Sequence, residues 1–363
     1  MRDPTVFATN LILMWIAMMW MMSKSSSVKR WELVSHEEVL RFKPRFAVLV
    51  FLPVILLVAF GTPRYDTYAY LATFRGISLS PTGIAYYFDS AKEKGFAVLN
   101  VLIRMLFGRS NTAFRLVICL MHSIPIIKIY RRYSEDYMFS IYLFVVTTTH
   151  MAWMMNGIRQ FIAVTMIFMA TPLIIERKYL KAVLVVLLAM TFHRSAMVMI
   201  AAIFIAQGKP WNKWTLLFSF LMIVATTVFA GSEDSFDVIA ETAGYSLDAV
   251  RDAGDNGMNP IRALVSSVPM ILAWVSRRKI QEENIPIINL CANMSIVTTG
   301  ISMIAVVTSG IMVGRMPIYT SLWNLILLPH VIRITFSGST RKLVYAAAVV
   351  LYFGFYLFSV GAF

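Results

Sequence analysis

Apolar runs of about 15 to 21 residues recur along the chain between short polar clusters, the length of a helix crossing a hydrocarbon slab roughly 30 Å thick. Their positions predict spanning helices near 6–22, 46–61, 112–130, 137–153, 159–176, 179–193, 195–207, 213–230, 261–276, 286–307, 318–334 and 341–360. The expected fold is therefore all-α: a polytopic bundle of about twelve transmembrane helices forming one membrane domain over residues 1–363. The first run, Val6–Met22, has no basic leader and no small-residue cleavage site, and is read as a retained helix. Gly95–Phe107 is apolar but too short to span, and counting it would invert every later loop, so a re-entrant or interfacial helix is expected there. It belongs to an extracytoplasmic segment, 62–111, and a second such segment, 231–260, is rich in acids from Glu233 to Asp255.

Composition agrees with the pattern. The chain is 58% hydrophobic and 14% charged, whereas a soluble domain is roughly 45–50% apolar and about 25% charged. A net charge of +14 would suggest nucleic acid in a soluble protein. Here the charges follow topology: loops holding Arg30, Arg132, Lys178 and Arg278 sum to +12 and the opposite set to +2. The basic side is cytoplasmic by the positive-inside rule, and no nucleic acid is expected. Cys119 and Cys291 both lie in apolar runs, where a thiol acts as a small hydrophobe.

Candidate chemistry gathers on the opposite side, at helix ends. Arg64, Tyr65, Asp66, Thr67, Tyr68 and Tyr70 follow the second span, a combination suited to sugar or phosphate and equally to an interfacial aromatic belt. Arg159 and Gln160, in NGIRQFIA, open the fifth span, where backbone N–H groups and the positive dipole end accompany a guanidinium. His193 and Arg194, in FHRSA, sit between two apolar runs. The chain descends from Arg159, turns at ERKYLK and ascends to His193, two legs each roughly 20–26 Å long at 1.5 Å per residue, so the two residues return to one depth. Arg315, flanked by Gly310, Gly314 and Pro317, is a second candidate phosphate ligand. Arg104, Arg115, Arg251 and Arg262 read more simply as snorkelling or structural cations. No phosphate-binding GxxxxGK[ST] loop, GxGxxG, HExxH or Cys/His cluster occurs, so neither cofactor nor metal is expected. An enzyme with these residues needs a substrate that arrives activated, and a lipid diphosphate suits the arginine fork.

The series RYDTYAY, EKGFAVLN, NGIRQFIA and LLAMTFHRSAMVMI resembles, in that order, the EpsG-like, Wzy-type family of exopolysaccharide and O-antigen polymerases. The matching positions are Asp66 and Tyr70; Glu93, Gly95 and Phe96; Arg159 and Gln160; and His193, Ser195 and Ala196. Lys94 stands where the family pattern has proline, and the glycine expected before the acid is displaced to Gly61. The resemblance implies a membrane-embedded, GT-C-like glycosyltransferase of the bacterial cytoplasmic membrane, with its active site facing the periplasm. It would join polyprenyl-diphosphate-linked oligosaccharides, with His193 or Asp66 as base, and would have membrane lipids and a chain-length regulator protein as partners. Arg159, Arg194, Arg315, Arg64, Gln160, Tyr65, Tyr68, Tyr70 and Glu93 would hold diphosphate and sugar. A lipid-linked oligosaccharide flippase, an O-antigen ligase and a membrane-bound O-acyltransferase are the competing readings. The polar groups gather at one boundary instead of the midplane, which favours an enzyme over a flippase.

Overall fold

The computed structural model describes residues 4–31, 38–63, 66–231 and 257–361. The described residues are helical almost throughout, apart from one antiparallel hairpin, β1 (Ser27–Trp31) with β2 (Glu38–Phe42), between α1 (Pro4–Ser26) and α2 (Pro44–Phe60). Helix starts follow local chemistry. Pro44 opens α2 where its missing N–H costs nothing, and Ser110 caps α6 (Asn111–Tyr133) by accepting from the Ala113 N–H at 3.2 Å. Asp136 does the same for α7 (Tyr137–Val146), accepting from the Phe139 N–H at 3.0 Å.

Packing divides the chain into two compact units, residues 1–197 with 343–363, and residues 198–342. In the first unit α6 packs against α2 and against α9 (Ile158–Met169), and α11 (Tyr179–Met190) lies on α9. Three shorter helices, α3 (Asp66–Gly76), α4 (Pro81–Ser90) and α5 (Lys94–Phe107), fill the 62–111 segment. One stripe of α5, including Phe96, Ala97, Asn100, Val101 and Arg104, is buried, while Val98, Leu102, Met105 and Leu106 are exposed. The last helix, α19 (Gly338–Ser359), is fastened by Tyr142 donating to the Val349 carbonyl at 2.6 Å and Tyr356 donating to Asn10 Oδ1 at 2.9 Å.

The second unit is built on α16 (Pro286–Val307), contacted by α13 (Lys213–Gly231), α14 (Pro260–Val275) and α18 (Asn324–Thr335). Polar groups fasten these helices where apolar burial alone would not in lipid. Asn293 donates to the Ala206 carbonyl at 3.0 Å, Thr298 meets Thr320 at 2.7 Å, and Asn324 donates to the Ser266 carbonyl at 3.2 Å.

All twelve apolar stretches fall on helices, but several are broken. Among the described residues four helices are long and apolar enough to cross a membrane, five if α7 and α8 (Thr149–Met155) form one span, and seven further apolar helices have 10–17 residues. The stretch 137–153 bends by 70° between α7 and α8, at Thr148, whose positive φ of 57° interrupts the helix. The stretch 159–176 breaks at Ala170, just before Pro172 and α10 (Thr171–Ile175). Helix length and apolarity together make this an all-α membrane protein. The acidic run from Glu233 to Asp255, and Arg251 within it, lie outside the described residues.

Candidate active site

The platform under the site is an apolar cluster in the first unit, made of Leu71 and Phe74 from α3, Phe96 and Val101 from α5, Phe114 from α6 and Ile162 from α9. It fixes the ends of four sequence motifs relative to one another. Glu93 occupies the N-cap position of α5, yet its side chain makes no cap hydrogen bond. The turn it belongs to is docked through backbone instead: the Gly95 N–H donates to the Thr191 carbonyl at 2.9 Å, just past the end of α11. Only glycine permits this approach, because a Cβ at position 95 would lie 2.9 Å from Thr191 Cβ, and closer still to its hydroxyl. Gly157, the N-cap of α9, is held by similar crowding, since an added Cβ would fall 3.0 Å from Trp153 Cδ2 and deeper inside the ring edge.

These dockings bring three charged or titratable groups together. Arg159 Nη1 forms an ion pair with Glu93 Oε2, and His193 Nδ1 lies 3.5 Å from Glu93 Oε1. Arg159 Nε also donates to the Tyr70 hydroxyl at 3.2 Å, and the guanidinium carbon stands 5.4 Å from the Tyr70 ring centre. Tyr70 in turn packs edge-on against Phe96, with ring centres 5.9 Å apart. Side-chain exposure falls from 34% at Arg159 and 27% at His193 to 9% at Glu93, so a nearly buried carboxylate lies beneath two groups that reach the surface. The hairpin expected to return His193 to the level of Arg159 does so, and Glu93 bridges them.

Nearby, Asn100 donates to the Tyr87 hydroxyl at 2.7 Å. Burial raises the Tyr87 pKa above its ordinary value, with the Asn100 hydrogen bond and the Arg159 charge pulling the other way. A phenol so placed is neutral at physiological pH.

The other candidates are placed differently. Asp66 is exposed at the start of α3, one turn before Tyr70 and on the same helix face. Tyr68 is 58% exposed on another face, and Gln160 is buried in the bundle. Arg194 is exposed at the head of a 3-10 turn, Arg194–Met197, outside the cluster. Arg315 is exposed in a second 3-10 turn, Val313–Arg315, in the other unit, while Arg64 and Tyr65 lie outside the described residues. Two cations read as structural have carbonyl partners: Arg104 donates to Ile77 at 3.2 Å, and Arg115 to Gly61 at 2.5 Å and Val58 at 2.6 Å. Sequence reasoning missed Thr191 and Trp153, whose importance comes from the glycines they crowd.

Arg159, Glu93 and His193, with Tyr70 as aromatic support, form a polar cluster at helix ends of a helical membrane protein. The chain belongs to the EpsG family, whose model matches residues 45–362 and gives it a polysaccharide-polymerase-type role. No curated protein and no solved structure matches it.

Proposed function

We propose that the protein is a glycosyltransferase that polymerises polyprenyl-diphosphate-linked oligosaccharide repeat units on the outer face of the cytoplasmic membrane. The observation that carries this reading is the Glu93 carboxylate held between Arg159 and His193. The hydroxyl of an acceptor sugar attacks the anomeric carbon of the donor chain, the bond from that carbon to the diphosphate oxygen breaks, and polyprenyl diphosphate departs. Arg159 binds the diphosphate through Nη2, because Nη1 holds Glu93 and Nε holds Tyr70. Arg194, exposed one residue after His193, adds positive charge. His193 takes the hydroxyl proton: Nδ1 lies 3.5 Å from Glu93 Oε1, which favours the tautomer with its proton on Nδ1 and Nε2 as the acceptor. Asp66, one turn from Tyr70, orients the incoming hydroxyl.

The charge arrangement supports transfer over transport, since the cluster lies at helix ends, whereas a transporter's charged relay is expected near the midplane. Arginine supplies the charge stabilisation that a divalent metal supplies elsewhere, and the reaction is expected to run without one. Deleting the gene and resolving surface glycan on a gel tests the reading. A ladder that collapses to single capped repeats supports polymerase, whereas loss of all repeats supports flippase or ligase and refutes it.

A further inference from the structure

We propose that a cavity of about 360 Å³ in the first unit is the subsite that seats a sugar ring of the incoming acceptor. This rests on the polymerase reading and adds the second substrate's place. Thr67 of α3 and Ile158 of α9 line the cavity, while Tyr70 and Arg159 on the same two helices belong to the charged cluster. Cavity and cluster therefore flank one shared wall, which is stapled by Thr67 donating its hydroxyl hydrogen to the Met155 carbonyl.

Position and chemistry both select a neutral sugar over a lipid chain or a phosphate. The walls come from the starts of α1, α3, α6 and α9, the ends of α2, α7 and α19, and the short helix α8 that follows the bend at Thr148. A hydrocarbon chain would lie along helices, whereas a cavity at their ends is at head-group level. Among the described residues no acidic side chain lines it, and both terminal nitrogens of the Arg115 guanidinium in its wall already donate to the Gly61 and Val58 carbonyls, so its fork is taken even though its charge remains. Two wall atoms, Asn156 Oδ1 and Ser359 Oγ, are buried with no hydrogen-bond partner among the described residues. Such atoms are costly unless something donates to them, and sugar hydroxyls are donors. Phe114, Met151 and Tyr356 provide apolar surface for the C–H faces of the ring.

The test uses purified protein in lipid nanodiscs, with the lipid-linked repeat unit isolated from a strain lacking the gene as donor and the methyl glycoside of the same repeat as soluble acceptor. Asn156→Ala, Ser359→Ala and the cavity-filling Ala152→Phe are compared with wild type. The acceptor KM is expected to rise about 3- to 10-fold in each, with the donor KM within about twofold of wild type. Unchanged acceptor KM in all three, with wild type active, overturns the cavity assignment but leaves the polymerase reading standing. Failure of wild type to form any glycosidic bond refutes the polymerase reading itself. If Ala152→Phe also loses donor affinity, Ser359→Ala decides, since it removes one oxygen at a helix end.

Discussion

Gly95→Ala tests how the site is assembled, because it alters no group that touches substrate. The added Cβ would sit 2.9 Å from Thr191 Cβ and 3.1 Å from the Thr191 carbonyl carbon. Carbon atoms pack best at about 3.5–4.0 Å, so the EKGF turn must retreat by roughly half to one ångström. Thr191 cannot easily yield, since its hydroxyl donates to the Leu188 carbonyl at 2.7 Å and its own carbonyl accepts from Gly95. Glu93 is two residues before Gly95 and His193 two after Thr191, so the retreat opens the 3.5 Å contact between them. Misplacement by an ångström costs about 10²-fold in rate, and a loss of that order in turnover is expected in a purified assay with lipid-linked repeats. The donor KM should change much less. Gly76→Ala is the control, since nothing lies within 4 Å of the Cβ it would add. Adding Thr191→Gly to Gly95→Ala removes the two closest obstacles and should restore most of the turnover. Wild-type turnover by Gly95→Ala, or a loss that Thr191→Gly does not relieve, would refute the account.

Arg159→Lys keeps the charge but cannot hold Glu93, Tyr70 and a phosphate at once, so turnover should drop about 10-fold or more while the protein still inserts; full polymer from both Arg159→Lys and Arg159→Ala would remove the residue from the site. The same assay run with a chelator should be unaffected, and strict dependence on a divalent metal would count against the arginine scheme. His193→Gln retains hydrogen bonding without basicity and should lose about 10²-fold or more in turnover, whereas near-wild-type rates with unchanged pH dependence would pass the role of base to Asp66. For topology, single cysteines at positions 66 and 193 should react with an impermeant reagent in intact cells and one at position 178 only after the membrane is breached; the reverse pattern would invert the bundle.

Much of this arrangement is legible in the sequence because two periodic constraints act together. Apolar run length locates the helices, and the equal lengths of the two legs from Arg159 to His193 place both residues at one depth. What the sequence does not express is the backbone detail that breaks those runs. Thr148 adopts positive φ with no glycine to signal it, and its neighbour Thr147 satisfies the bend by donating to the Leu143 carbonyl at 2.8 Å. Side-chain direction is equally hidden. Tyr68 and Tyr70 look equivalent in RYDTYAY, but two residues on a helix differ by about 200°, so one contacts Arg159 and the other is exposed. Gln160 beside Arg159 turns inward for the same reason.

Glu93 shows how much its partners add to what residue type conveys. As part of a motif beside a diphosphate site it reads as a substrate ligand, yet a carboxylate facing a diphosphate is repelled. The structure places Oε2 on the Arg159 guanidinium and Oε1 3.5 Å from His193 Nδ1, at 9% exposure. In the proposed site that position makes it the partner that orients both Arg159 and His193. It also explains why the cation must be arginine. An ammonium is a point charge that one anion monopolises, whereas the guanidinium fork can hold Glu93 through Nη1 and still present Nη2 to a second anion. In the proposed reaction, diphosphate would add negative charge beside a carboxylate that is already paired, so Arg159 and His193 would keep their geometry through the step in which that charge develops.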